Sequence, residues 1–217
     1  MPEEDDVEEI SAAGGEEPAD EPPIRIVPYD QTWPERFEQE RKLLAVLGGM
    51  SQGGFLSLRA GLLAPARVRA LVLIDTQAGG EDPERLPAYR QMQETWLQVG
   101  PVDDLANAIA GLIIGDPALS ESWIAKWKAL QLDSMRAPAD CLFERDDITG
   151  RLGEISCPAI VFHGTADMSI EMDRAQELCD GLSGCESVVR IEGASHVSNL
   201  THPGEVNGPL LDFLRSL

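Results

Sequence analysis

Leu43-Leu44-Ala45-Val46-Leu47-Gly48-Gly49-Met50-Ser51-Gln52-Gly53-Gly54 is an apolar run that closes on a serine set among glycines. The residues that follow, Phe55-Leu56-Ser57-Leu58-Arg59-Ala60, can continue as a helix to about Ala64. Gly49-Met50-Ser51-Gln52-Gly53 fits the pattern G-x-S-x-G, which requires a strand before it and a helix after it. The pattern has a steric reason. A serine that is to act as a nucleophile must stand on a sharp, strained turn, and a side chain two positions to either side is expected to collide there. Glycine avoids that collision and accepts backbone angles that other residues avoid. On composition alone such a pentapeptide arises by chance on the order of once in ten chains of this length. Its setting therefore decides its weight.

Val68-Arg69-Ala70-Leu71-Val72-Leu73-Ile74-Asp75 is a near-continuous apolar run, as expected of a strand buried on both faces. From Asp82 to about Asp147 no strand pattern appears. Breaks at Pro87, Gly100-Pro101, Gly115-Asp116-Pro117 and Pro138 divide this stretch into three or four amphipathic helices. Trp123 and Trp127 stand four apart on one helical face, and Trp96 lies on an earlier helix. Two readings of these tryptophans stand side by side: packing of the helices onto the body, or the lining of an apolar substrate pocket. Ile155–Asp167 then reads as a loop, a buried strand and a turn, Glu171–Leu182 as a helix, Ser187–Ile191 as a strand and Glu205–Leu217 as a final helix. Alternation of this kind predicts a parallel sheet in an α/β fold.

The composition narrows the function. The 217 residues can form one domain with a real core, or a domain and a tail. Thirty-eight acidic residues against 17 basic ones give a formal charge of −21, which repels nucleic-acid backbones and anionic membranes. Ten of the acidic residues fall within residues 1–23, a stretch with no Lys or Arg and no apolar periodicity, read as a disordered tail. Cys141, Cys157, Cys179 and Cys185 form no C-x-x-C pair, and there are three histidines, so neither a metal nor another cofactor is expected. Without a signal-peptide pattern or a membrane-length apolar run, the reading is a cytoplasmic protein with free thiols.

Three placements carry the chemistry. Ser51 lies on the glycine turn, Asp167 follows the apolar strand ending His163-Gly164, and His196 ends Gly193-Ala194-Ser195-His196 after the next strand. The order Ser, acid, His, each on a turn after a successive strand, matches a nucleophile, its orienting acid and its base. Asp75 and Asp173 compete with Asp167 for the acid role, His163 reads as a structural residue at a strand end, and His202 reads as a loop residue.

On these motifs, residues 49–217 resemble the C-terminal part of an α/β-hydrolase of the single-cap esterase and lactonase type. His163-Gly164-Thr165-Ala166-Asp167 matches that family's H-G-x-x-D turn, and Gly193 to His196 its G-x-x-H. The resemblance implies a mostly parallel sheet with helices on both faces, a helical cap over residues 82–147, and a small carboxylic ester or lactone as substrate. It also implies an oxyanion donor at the backbone N–H of Gln52. Residues 24–48 resemble a different family: Val27-Pro28-Tyr29-Asp30-Gln31-Thr32-Trp33-Pro34-Glu35-Arg36-Phe37 is similar to the opening of GrpB-family proteins. That likeness carries a helix through Leu47-Gly48, which conflicts with a strand just before Ser51, and the reading adopted is a helix from Glu35 to about Lys42 and a short strand over Leu43–Leu47.

The junction sets a conflict. The resemblance implies several strands before the elbow, and a second oxyanion donor from an early loop beside a His-Gly pair. No counterpart of that loop precedes Ser51 in this sequence. Loss of one oxyanion donor costs roughly 3–4 kcal/mol of transition-state stabilisation. The expectation is therefore a truncated fold with an exposed sheet edge, covered by Ile24–Val27 or by a second copy of the chain in a homodimer. Two functions follow: a serine hydrolase forming an acyl-enzyme, or a catalytically impaired remnant serving as an interaction module.

Overall fold

The structure is a computed structural model and describes residues 44–217. It opens on strand β1 (Ala45–Met50), followed by helix α1 (Gln52–Leu63) and strand β2 (Val68–Ile74). Four helices come next: α2 (Leu86–Val99), α3 (Asp103–Ile113), α4 (Pro117–Lys128) and α5 (Arg136–Phe143). The chain then returns to the sheet with β3 (Ala159–Gly164), α6 (Met172–Gly181) and β4 (Val188–Ile191). It ends with the short helix α7 (Ser198–Thr201) and α8 (Pro203–Ser216). The four strands are all parallel, in the order β1-β2-β3-β4.

Strand alternation builds two cores. Leu71 and Leu73 of β2, with Ala159 and Val161 of β3, face one side of the sheet. There they meet Phe55 and Leu58 of α1 and Ala175, Leu178 and Cys179 of α6. Val72 and Ile74 of β2, with Ile160 and Phe162 of β3, face the other side and meet Val206, Leu210 and Phe213 of α8. Helices on both faces explain why β2 is buried at every residue except Arg69.

Within 82–147 the helix boundaries follow local chemistry. Gly115 takes a left-handed φ of 69° after α3, Asp116 accepts the Leu119 N–H at 2.9 Å as the N-cap of α4, and Pro117 opens that helix. Pro87 and Pro138, expected as breaks, instead lie in the first turns of α2 and α5, where proline removes no helical hydrogen bond.

Two expectations need correction. The strand before Ser51 is Ala45–Met50, not Leu43–Leu47, so Gly48 and Gly49 lie inside it. An apolar run alone does not fix a strand's ends, and Leu44 at its start is 53% exposed. Secondly, the thiols are not all free: Cys179 and Cys185 form a disulfide, while Cys141 and Cys157 remain thiols. Successive turns, Leu182 N–H to Cys179 C=O and Cys185 N–H to Leu182 C=O, double the chain back between α6 and β4. They bring the two Cα atoms to 5.4 Å, within bridging range. Closing a loop with a sequence separation of 6 stabilises the fold by about 2 kcal/mol in the chain-entropy account. Urea unfolding with and without reductant should show a loss of unfolding free energy of that size.

Among the described residues β1 is an edge strand. The segments expected to cover it or precede it, residues 1–23, Ile24–Val27 and the helix from Glu35, lie outside the described residues. No helix among the described residues is long and apolar enough to cross a membrane.

Candidate active site

Each parallel strand delivers one polar residue just beyond its carboxyl end: Ser51 after β1, Asp75 after β2, Asp167 after β3 and His196 after β4. Open parallel sheets place their binding crevices at that end.

Ser51 sits at φ 51°, ψ −121°, a backbone conformation that costs a non-glycine residue about 1–3 kcal/mol. The surroundings hold it there. Its N–H donates to the Ile74 carbonyl at 2.9 Å, and its own carbonyl accepts from Gly54 N–H at 3.0 Å, Phe55 N–H at 3.2 Å and Thr76 Oγ1 at 2.6 Å. The glycines around it are not equivalent. A Cβ on Gly49 would lie 2.1 Å from the Gly53 carbonyl carbon, and one on Gly54 would lie 2.6 Å from Thr76 Cγ2. A Cβ on Gly53 would meet nothing within 4 Å, which corrects the expectation of a collision on both sides of the serine.

His196 joins two of the sequence-derived residues. Its Nε2 lies 2.8 Å from Ser51 Oγ and its Nδ1 lies 2.8 Å from Asp167 Oδ2. A carboxylate only accepts, so Nδ1 carries the proton and Nε2 turns a lone pair to the serine hydroxyl. The other oxygen of Asp167, Oδ1, accepts from the N–H groups of Ser169 at 2.8 Å and Ile170 at 3.0 Å. Asp167 is thus both a turn cap and the partner of the imidazole. Gln52 opens α1, so its N–H has no carbonyl one turn earlier within that helix. Its side chain reaches the other way, donating Nε2–H to the Pro138 carbonyl at 3.2 Å.

Neither competing acid is hydrogen-bonded to His196. Asp173 is exposed on the first turn of α6. Asp75 is fully buried at φ 46° and accepts the Gly164 N–H at 2.9 Å and the Ser198 N–H at 2.8 Å. It therefore braces the turn that leads to Asp167 and the turn that follows His196. Burial raises its pKa above the ordinary carboxylate value, against the opposing pull of those N–H donors and of His163. His163 is fully buried, and its Nε2–H donates to the Ile170 carbonyl at 2.9 Å. His202 precedes α8 and contacts Thr201 Oγ1 through Nδ1 at 2.8 Å. Asp75, His163 and Asp167 hold possible ligand atoms within 4.8 Å of one another, but both oxygens of each carboxylate already accept hydrogen bonds.

The tryptophans divide. Trp96 is buried on α2 and meets Trp127 edge-on, with ring centroids 6.4 Å apart. Trp123 and Trp127 join an apolar cluster with Ala110, Ile114, Met50 and Val197. Met50 precedes Ser51 and Val197 follows His196, so this cluster joins the helical region to both turns. Contacts that the sequence did not indicate complete the site. Arg85, just before α2, donates to the carbonyls of Met168 and Ser169 at 3.3 Å and pairs with Glu171 at 2.8 Å, holding the loop that carries Asp167. No local sequence signal marks that arginine.

A sequence profile described as the alpha/beta hydrolase family matches residues 8–208. The chain belongs to that family. The match starts within the acidic segment and runs through residues 24–48, the stretch for which a GrpB likeness was expected. The polyketide synthase ThaQ of Burkholderia thailandensis is 31% identical over 187 residues, 78% of this chain and 8% of that protein. A 2-hydroxy-6-oxononadienedioate/2-hydroxy-6-oxononatrienedioate hydrolase of Dechloromonas aromatica is 26% identical over 180 residues, 76% of this chain. This chain spans 60% of that relative's length. Among solved structures, a thermophilic esterase of Thermogutta terrifontis superposes with a TM-score of 0.73 at 23% identity, covering 82% of this chain and 67% of the esterase. That likeness shows the fold.

Proposed function

We propose that this chain is a serine hydrolase that cleaves a small carboxylic ester or lactone through an acyl-enzyme. The observation that carries the reading is the position of His196, 2.8 Å from both Ser51 Oγ and Asp167 Oδ2. A serine hydroxyl is a weak nucleophile until a base takes its proton as it attacks. In the proposed reaction His196 Nε2 takes that proton while Ser51 Oγ bonds to the substrate carbonyl carbon. The same Nε2–H is then given to the departing alkoxide. Water repeats the sequence on the acyl-enzyme, releasing the acid and restoring Ser51. Asp167 holds the imidazole in the required tautomer and offsets the charge of the transient imidazolium. In this reading the Gln52 N–H, at the start of α1, donates to the oxyanion.

The cluster of Met50, Trp123, Trp127 and Val197 supports an apolar acyl or lactone-ring pocket, with Trp96 backing Trp127 from within α2. The Thermogutta terrifontis relative in fold is an esterase, in keeping with this choice of bond. The test is a fluorophosphonate probe, which reports an activated serine without needing the right substrate. Mass spectrometry is expected to find one adduct, on Ser51, lost in Ser51→Ala. A folded chain that takes no adduct, or takes it elsewhere, would overturn the reading and favour an interaction module.

A further inference from the structure

Helix α3 ends against the two loops that carry Asp167 and His196. The last carbonyls of a helix have no partner inside it. At this end the N–H groups of Ile114 and Gly115 both return to the Ala110 carbonyl, at 2.8 and 3.1 Å. The next two carbonyls that receive donors, those of Leu112 and Ile113, receive them from outside the helix. Ser169 Oγ donates to Leu112 at 3.4 Å, and Ser195 Oγ donates to Ile113 at 3.3 Å. Ser169 lies two residues after Asp167 and gives that carboxylate its N–H. Ser195 immediately precedes His196. One helix end thus takes a hydroxyl from the acid's loop and a hydroxyl from the base's loop.

Two further features are built around the same contact. Gly115, at φ 69°, brings the chain so close that a Cβ there would lie 2.9 Å from Ser195 Cβ. Only glycine meets both conditions without strain. Beside it Ile114, 2% exposed, packs with Val197 on the far side of His196. Polar and apolar contacts therefore converge on the two loops from a single helix end.

We infer that Ser169 and Ser195 are positioning residues, which register the carboxyl end of α3 against the Asp167 and His196 loops so that the helical region sets the alignment of acid and base. The inference rests on the hydrolase reading above. Each bond is longer than the usual 2.7–2.8 Å of a hydroxyl donor to oxygen, so each is weak alone and the pair acts together.

The test compares Ser169→Ala, Ser195→Ala, the double variant and Gly115→Ala, using a small activated aryl ester and the fluorophosphonate probe. The double variant should lose about tenfold in kcat and in inactivation rate, short of the ~100-fold that a 1 Å misplacement can cost, with KM held within about twofold. Gly115→Ala keeps both hydroxyls but pushes α3 away from Ser195, and should reproduce the loss. Ser169→Thr restores a hydroxyl and should recover the rate lost in Ser169→Ala. The far-downfield proton resonance of His196 Nδ1–H reports alignment without turnover, and should shift or broaden in the double variant. Wild-type kcat in the double variant, or a lower kcat with an unchanged Nδ1 resonance, would overturn the inference. If the double variant fails to fold, the single variants and Gly115→Ala carry the same comparison. A wild-type chain inert to the probe would sink the hydrolase reading, while the resonance would still decide the alignment, so the two failures are separable.

Discussion

Replacing His196 with alanine is expected to lower turnover of a small activated ester by at least about 10⁴-fold, with KM little changed. The size follows from what the one side chain does. In the proposed mechanism it removes the Ser51 proton, carries it as an imidazolium, and returns it to the leaving group. No other base among the described residues is hydrogen-bonded to Ser51 Oγ. Asp167→Asn should also cost on the order of 10⁴-fold by a different route. An amide at Oδ2 can present N–H to Nδ1, which turns the imidazole to the tautomer whose Nε2 already carries a proton. Groups that act as a unit are not additive, so Ser51→Ala/His196→Ala should be no slower than either single change. Steady-state rates with thermal melts as a control settle the matter. A loss below about tenfold in His196→Ala would remove the histidine from the chemistry.

The three residues proposed to react could be singled out in the sequence because they lie at turns directly after apolar strands. A parallel sheet gathers such turns at one edge, so order along the chain became proximity in space for Ser51, Asp167 and His196. The alternation of Leu71, Val72, Leu73 and Ile74 between two cores was legible for the same reason, since period and burial are local properties. What stayed hidden depends on distant partners. Ser169 and Ser195 are ordinary loop serines until α3, more than fifty residues earlier in the chain, presents Leu112 and Ile113 to them. Asp75 reads as a rival acid until Gly164 and Ser198 are seen to occupy its two oxygens. The Cys179–Cys185 bridge arises from a doubled-back turn, and spacing alone gave no sign of it. The ends of β1 were hidden too, because glycines inside a strand look from sequence like its end.

Those glycines give the second large effect. Gly49→Ala is expected to destabilise the fold by about 3 kcal/mol, the upper part of the range for overpacking, and to cut activity by about 100-fold or more. The added Cβ would meet the Gly53 carbonyl carbon at 2.1 Å, its oxygen at 2.2 Å and the Gly54 nitrogen at 2.5 Å. All three are backbone atoms of the first turn of α1, so no side chain can rotate to relieve the contact. Either β1 or the start of α1 must move, and both bear on the proposed site: β1 leads into Ser51, and α1 begins with the Gln52 N–H. The matched control is Gly53→Ala, which places a Cβ in open space at a helical position without a left-handed φ. Alanine is favoured over glycine in helices by as much as about 1 kcal/mol, so this change should leave stability equal or higher. G-x-S-x-G presents the two glycines as equals, whereas the contacts make the first indispensable and the second replaceable. Denaturant midpoints, measured beside ester hydrolysis, should fall for Gly49→Ala and stay at or above wild type for Gly53→Ala. Equal behaviour of the pair would mean that the approach of β1 to α1 does not hold the elbow in place.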